Sequence, residues 1–85
     1  MVSKRLLIVA HAPSENTQDM VGAIVQGAQS TTNGRIEITA QTAFETNSDQ
    51  VIKAQAIILG TTENLGYMSG GLKDFFDRIY YPCLE

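Results

Sequence analysis

Cysteine occurs once in this chain, at Cys83, so no internal disulfide can staple the fold. Tryptophan is absent, and aromatic residues make up 7% of the sequence, which leaves aliphatic side chains to build the core. Only two prolines interrupt the chain, Pro13 and Pro82. Six basic residues against nine acidic ones give a net charge of −3. The basic residues are scattered, with Lys4-Arg5 the sole adjacent pair, and nucleic-acid binding needs them clustered. No apolar run approaches the ~20 residues that cross a bilayer. The run Leu6 to Ala10 is also shorter than the ~7–15 residues of a signal-peptide core. The expected location is therefore cytoplasmic, with neither a membrane nor a nucleic acid as partner.

Eighty-five residues suit one small domain spanning 1–85. Two short apolar runs stand out, Leu6-Leu7-Ile8-Val9-Ala10 and Ala56-Ile57-Ile58-Leu59. Both are rich in branched residues and read as strands buried on both faces. A third segment, residues 35–41, alternates Ile36, Ile38 and Ala40 with polar residues, as a half-exposed edge strand does. Between these lie helical patterns. Residues 17–29 carry Met20, Val21, Ile24, Val25 and Ala28 on one stripe, with Ser14 as N-cap. Residues 30–34 have turn chemistry. Asn47 or Ser48 can cap a short helix through Val51, Ile52 and Ala54. Residues 70–80 form a last helix, capped by Ser69, with Leu72, Phe75, Phe76, Ile79 and Tyr80 on one stripe.

The order βαβαβα calls for an α/β fold with a parallel sheet and helices on both faces. Two buried strands and one edge strand imply the spatial order 2-1-3. The switch point of such a sheet lies between strands 1 and 3, and ligands bind outside the carboxyl ends of the strands there. Two loops leave that point. One is Ala12-Pro13-Ser14-Glu15-Asn16-Thr17, at a helix N-terminus that suits an anion. The other, a polar connection of about ten residues from Thr61 onward, carries Leu65, Tyr67 and Met68, which suit a planar aromatic ligand.

Other chemistries lack their residues. No Gly-Lys-Ser/Thr follows the first loop, as a P-loop requires, and no GxGxxG is present. A phosphoacceptor domain would need acidic residues where His11 and Gly60 stand. No metal-ligand cluster can be assembled from the sequence. His11 has no nucleophile or carboxylate beside it in sequence, so no catalytic residue is assigned. Asp74, Asp77 and Arg78 read as a solvated helix face.

Two blocks resemble the flavodoxin-like superfamily, and within it the FMN-dependent NAD(P)H reductase and quinone-oxidoreductase branch. His11-Ala12-Pro13-Ser14-Glu15-Asn16-Thr17 is similar to the family's phosphate loop. The stretch from Gly66-Tyr67-Met68-Ser69-Gly70 through Lys73-Asp74-Phe75 is similar to its flavin loop and following helix. The sequence departs from the family pattern at Ala12, Glu15 and Thr62. Family members also carry five strands, whereas this chain supplies three, so the resemblance is to a truncated flavodoxin-like sheet, the family's N-terminal portion.

The resemblance implies FMN as cofactor and NAD(P)H as electron donor in an oxidoreductase. Ser14, Asn16 and Thr17 would take the phosphate. Thr61 and Thr62, followed by Glu63, Asn64, Leu65, Gly66, Tyr67 and Met68, would border the flavin. A non-enzymatic electron carrier and a cofactor-free module are the alternatives. Because an apolar third strand would lack an outer neighbour, a homodimer is also expected.

Overall fold

The computed structural model describes residues 4–32 and 36–84. Three parallel strands form the sheet in the order β2-β1-β3, with β1 at Lys4–Ala10, β2 at Ile36–Thr42 and β3 at Ala56–Gly60. The expected α/β architecture and strand order are both present, as in a flavodoxin-like open sheet. Register is set from the centre outward. Ile8 lies between Ala40 and Ile58, and Ala10 between Thr42 and Gly60. Side chains alternate across the sheet, so Leu7 and Val9 face one layer while Leu6, Ile8 and Ala10 face the other. Leu7, Ile8, Val9 and Ala10 are all buried, which bears out the reading of β1 as covered on both sides.

One layer consists of α2 (Ser48–Lys53) and α3 (Gly70–Ile79). Leu7 and Val9 meet Leu72 and Phe75 there, with Ala43 completing a buried cluster. Val51, Ala54, Met68, Phe76 and Ile79 pack around it. Removing a side chain the size of Phe75 or Leu72 from water stabilises the fold by about 1.5–3 kcal/mol. The other layer is α1 (Glu15–Thr32), whose Val21 and Ile24 lie beside Ala10. Ser14 caps α1 as expected. Its Oγ accepts from the Thr17 N–H at 3.3 Å, while the Ser14 N–H donates to Thr17 Oγ1 at 3.2 Å. Asn47 caps α2 in the same reciprocal way with Gln50.

Four expectations need correction. The first helix is longer than its apolar stripe suggests, beginning at Glu15 and continuing through Thr32. Ser30, Thr31 and Thr32 are therefore helical, and the rest of the expected turn, Asn33 and Gly34, lies with Arg35 outside the described residues. Second, β3 is not buried on both faces. Ile57, Ile58 and Leu59 are 40%, 36% and 43% exposed. A strand's hydrophobicity says what it can tolerate, not what covers it, and β3 pairs on one side only. Third, the stripe on α1 outreaches the sheet, leaving Met20 65% exposed. Tyr80, past the end of α3, is likewise exposed.

Fourth, the polar connection after β3 contains a small hairpin, β4 (Glu63–Asn64) paired antiparallel with β5 (Tyr67–Met68). Leu65 and Gly66 form its turn, with φ of 53° and 79°. Positive φ at both central positions is the geometry of a tight hairpin turn. Gly66 adopts it freely, whereas Leu65 does so against its Cβ.

Candidate functional site

The carboxyl ends of β1 and β3 finish level, Ala10 opposite Gly60. The ladder runs one step further, with the His11 N–H donating to the Gly60 carbonyl at 3.0 Å. Both candidate loops therefore start from adjacent points on one edge of the sheet. Register makes this possible, since a shift of one residue would turn every side chain to the other face.

Between them lies a crevice of about 90 Å³, where His11 and Thr17 come together with Gly60 and Thr61. Cofactor pockets commonly measure ~300–1,000 Å³, so this crevice can take one end of a ligand. Met20 and Ile24 make its α1 side apolar. Two larger hollows lie elsewhere. One of about 340 Å³, between α2 and the starts of β1 and β2, mixes Arg5 and Lys53 with Glu37 and Asp49. The other, about 430 Å³ between α1 and β2, has a floor of small residues including Ala10, Gly22 and Ala40. Both are bigger than the crevice, but neither sits between β1 and β3, where the loops converge.

The first loop can meet an anion at the start of α1. An α-helix leaves its first N–H groups without intrahelical acceptors, here those of Glu15 and Asn16. The Ser14 and Thr17 hydroxyls are already engaged with each other at 3.0 Å. An incoming anion must compete with that pair. The Glu15 carboxylate stands at the same helix end, exposed. It favours the helix dipole but repels a phosphate. Asn16 is exposed as well.

The second loop is held by a clasp. The buried Ser69 N–H donates to Thr61 Oγ1 at 2.9 Å, and Ser69 Oγ accepts from the Leu72 N–H at 3.2 Å to cap α3. Thr61 thus closes the loop. Thr62 Oγ1 bonds Asn64 Oδ1 at 2.8 Å, and the Glu63 carboxylate accepts from the Gly66 N–H across the turn. Met68 turns inward to the core. Leu65 is fully exposed and Tyr67 is 57% exposed, so these two supply the apolar surface of the hairpin.

Residues outside the expected set also reach this edge. His11 packs its ring edge-on to Phe44, with centroids 5.5 Å apart and planes at 87°. Gly71 lies against both, and a Cβ there would come within 2.9 Å of His11 Cδ2 and of Phe44 Cζ. A pair of glycines opening a helix, Gly70-Gly71, is the sequence signal for such an approach, because glycine weakens a helix otherwise. Arg78 overturns the reading of a wholly solvated face. Its Nη1 and Nη2 donate to the carbonyls of Thr46 and Ala43 at 2.8 and 2.5 Å, while Nε pairs with Asp74 at 2.8 Å. Lys73 and Asp77 do stay at the surface. Their hydrogen bond holds the Lys73 ammonium above its ordinary pKa. Among the described residues, no group of three or more His, Cys, Asp or Glu could hold a metal ion. No helix there is long and apolar enough to cross a membrane.

Comparison with protein-family models and with curated proteins finds no match for this chain.

Proposed function

We propose that the β1–β3 edge binds FMN and that the protein works as a flavodoxin-like oxidoreductase with NAD(P)H as electron donor. One observation carries the reading: Ala10 and Gly60 end level, so an anion-ready helix N-terminus and an apolar hairpin leave from neighbouring strands. The phosphate end would meet the N–H groups of Glu15 and Asn16, together with Ser14 and Thr17. The ring would lie along the hairpin, where Leu65 and Tyr67 offer exposed apolar surface. Bound FMN would supply the electron-transfer chemistry, and the chain would bind and orient it.

A second reading is a cofactor-free module that associates with its own copy. It is supported by the polar groups that the site already spends on itself, the Ser14–Thr17 pair and the Thr61–Ser69 clasp. A homodimer through β3 is compatible with either reading. That edge carries no charge and no proline, the usual devices that keep strand edges apart.

The deciding experiment is an FMN titration of the purified chain followed by visible absorbance, then NAD(P)H oxidation with FMN present. A perturbed flavin spectrum with saturable binding supports the first reading, and turnover then separates a reductase from a passive electron carrier. No binding at any concentration overturns it in favour of the cofactor-free module. The Glu15→Gly variant provides an internal check. Removing the carboxylate beside the anion site should tighten FMN binding severalfold, roughly the effect of ~1 kcal/mol.

A further inference from the structure

The imidazole of His11 is held in an unusual way for a residue just past a strand. Its Nδ1 is buried with no hydrogen-bond partner. Phe44 stands edge-on to the ring, and Gly71 closes against the Cγ–Cδ2 side. The three residues come from three connected places: the end of β1, the turn after β2, and the first turn of α3. Neither His11 nor Phe44 belongs to the Leu7–Phe75 core cluster. Phe44 itself is 62% exposed, so its burial contributes little to folding.

We infer that Phe44 is a positioning residue, which with the side-chain-free space at Gly71 holds His11 so that Nε2 is the nitrogen offered to the β1–β3 crevice. A neutral imidazole carries its proton on one nitrogen. A proton on the buried Nδ1 would be a donor without an acceptor, and orphaned buried donors are rarer than under-satisfied acceptors. The tautomer with the proton on Nε2 therefore fits this packing. His11 then presents an N–H to a hydrogen-bond acceptor on a bound ligand. The edge-on ring contact opposes rotation about the Cβ–Cγ bond, and any side chain at position 71 would push one of the two rings away. The inference rests on the proposal that this crevice is the ligand site.

His11 is the only histidine in the chain, so its ring signals can be assigned without ambiguity. The test is histidine-selective ¹⁵N labelling of the full chain, with imidazole tautomer and ring shifts read by NMR, alongside FMN titration. The wild-type chain should show the Nε2–H tautomer in one ring environment. Phe44→Leu should shift the ring protons and average the tautomers, and should weaken FMN about threefold to tenfold. Gly71→Ala should disturb the ring as Phe44→Leu does. A tautomer mixture in the wild-type chain, or a Phe44→Leu variant with unchanged ring signals, overturns the inference. Should the wild-type chain bind no FMN, the functional proposal fails, and the ring signals still decide whether Phe44 positions His11.

Discussion

Arg78 donates from Nη1 to the backbone carbonyl of Thr46 at 2.8 Å, joining α3 to the connection between β2 and α2 across 32 positions of chain. Nη2 reaches the Ala43 carbonyl from the same guanidinium. Ala43 and Thr46 are both fully buried residues. One planar fork thus satisfies two carbonyls in a connection that has no ladder of its own, a geometry lysine cannot reproduce.

Arg78→Ala should therefore destabilise the fold by about 2–3 kcal/mol, because carbonyls near buried residues lose charged donors. Arg78→Lys should recover less than half of that loss. Asp74→Asn, which breaks only a half-exposed ion pair, should cost a few tenths of a kcal/mol. Urea denaturation of the three variants checks the order. Equal effects for Arg78→Ala and Asp74→Asn would show that the carbonyl contacts carry no weight.

Ser69 serves as helix cap and as half of the loop clasp. Ser69→Ala removes the acceptor for the Leu72 N–H inside a buried site. The expected loss is about 1–2 kcal/mol. Thr61→Val leaves the Ser69 N–H without its acceptor and should cost a similar amount. Thermal melts of each single variant and of the double variant measure the coupling. Thr61 Oγ1 also donates to Ser69 Oγ at 3.1 Å, a bond that either variant breaks, so the double-variant loss should be smaller than the sum of the singles.

Leu65 separates stability from binding. Its positive φ is unfavourable for a side chain with a Cβ, so Leu65→Gly should stabilise the turn by up to about 1 kcal/mol. The same substitution strips apolar surface from the hairpin and should weaken FMN binding. A higher melting temperature with a weaker FMN affinity is the expected pair of results. Loss of stability would show that the turn conformation differs in solution. Unchanged affinity would take Leu65 out of the flavin site.

The β3 edge predicts concentration-dependent association. Sedimentation at micromolar concentration should show a dimer, and Ile57→Lys should shift it toward monomer by placing a charge at the uncovered edge. Ile57 is 40% exposed, so the monomer should tolerate the charge. A wild-type chain that sediments as a well-folded monomer removes the homodimer proposal.

Local patterns carried the elements of this fold, and the strand order with them. The apolar run at Leu6 to Ala10 specified a central strand, the alternation at Ile36 to Ala40 an edge, and Ser14, Asn47 and Ser69 the helix starts. These signals are legible because caps and side-chain periodicity act over one to four residues. The convergence of the two loops was also readable, since it follows from parallel strands in the order 2-1-3.

Packing at longer range was not readable. β3 has the composition of a strand covered on both faces, yet Ile57, Ile58 and Leu59 stay partly exposed, because burial depends on the neighbours a strand has rather than on its own residues. Arg78 sits in a run of charges typical of a solvated helix face, and only the placement of α3 beside the β2–α2 connection turns it inward. The contact of His11 with Phe44 and Gly71 joins segments more than 25 positions apart, so no local pattern announces it. Short-range chemistry chose the elements of this protein, and the register and stacking of those elements chose which side chains meet at the β1–β3 edge.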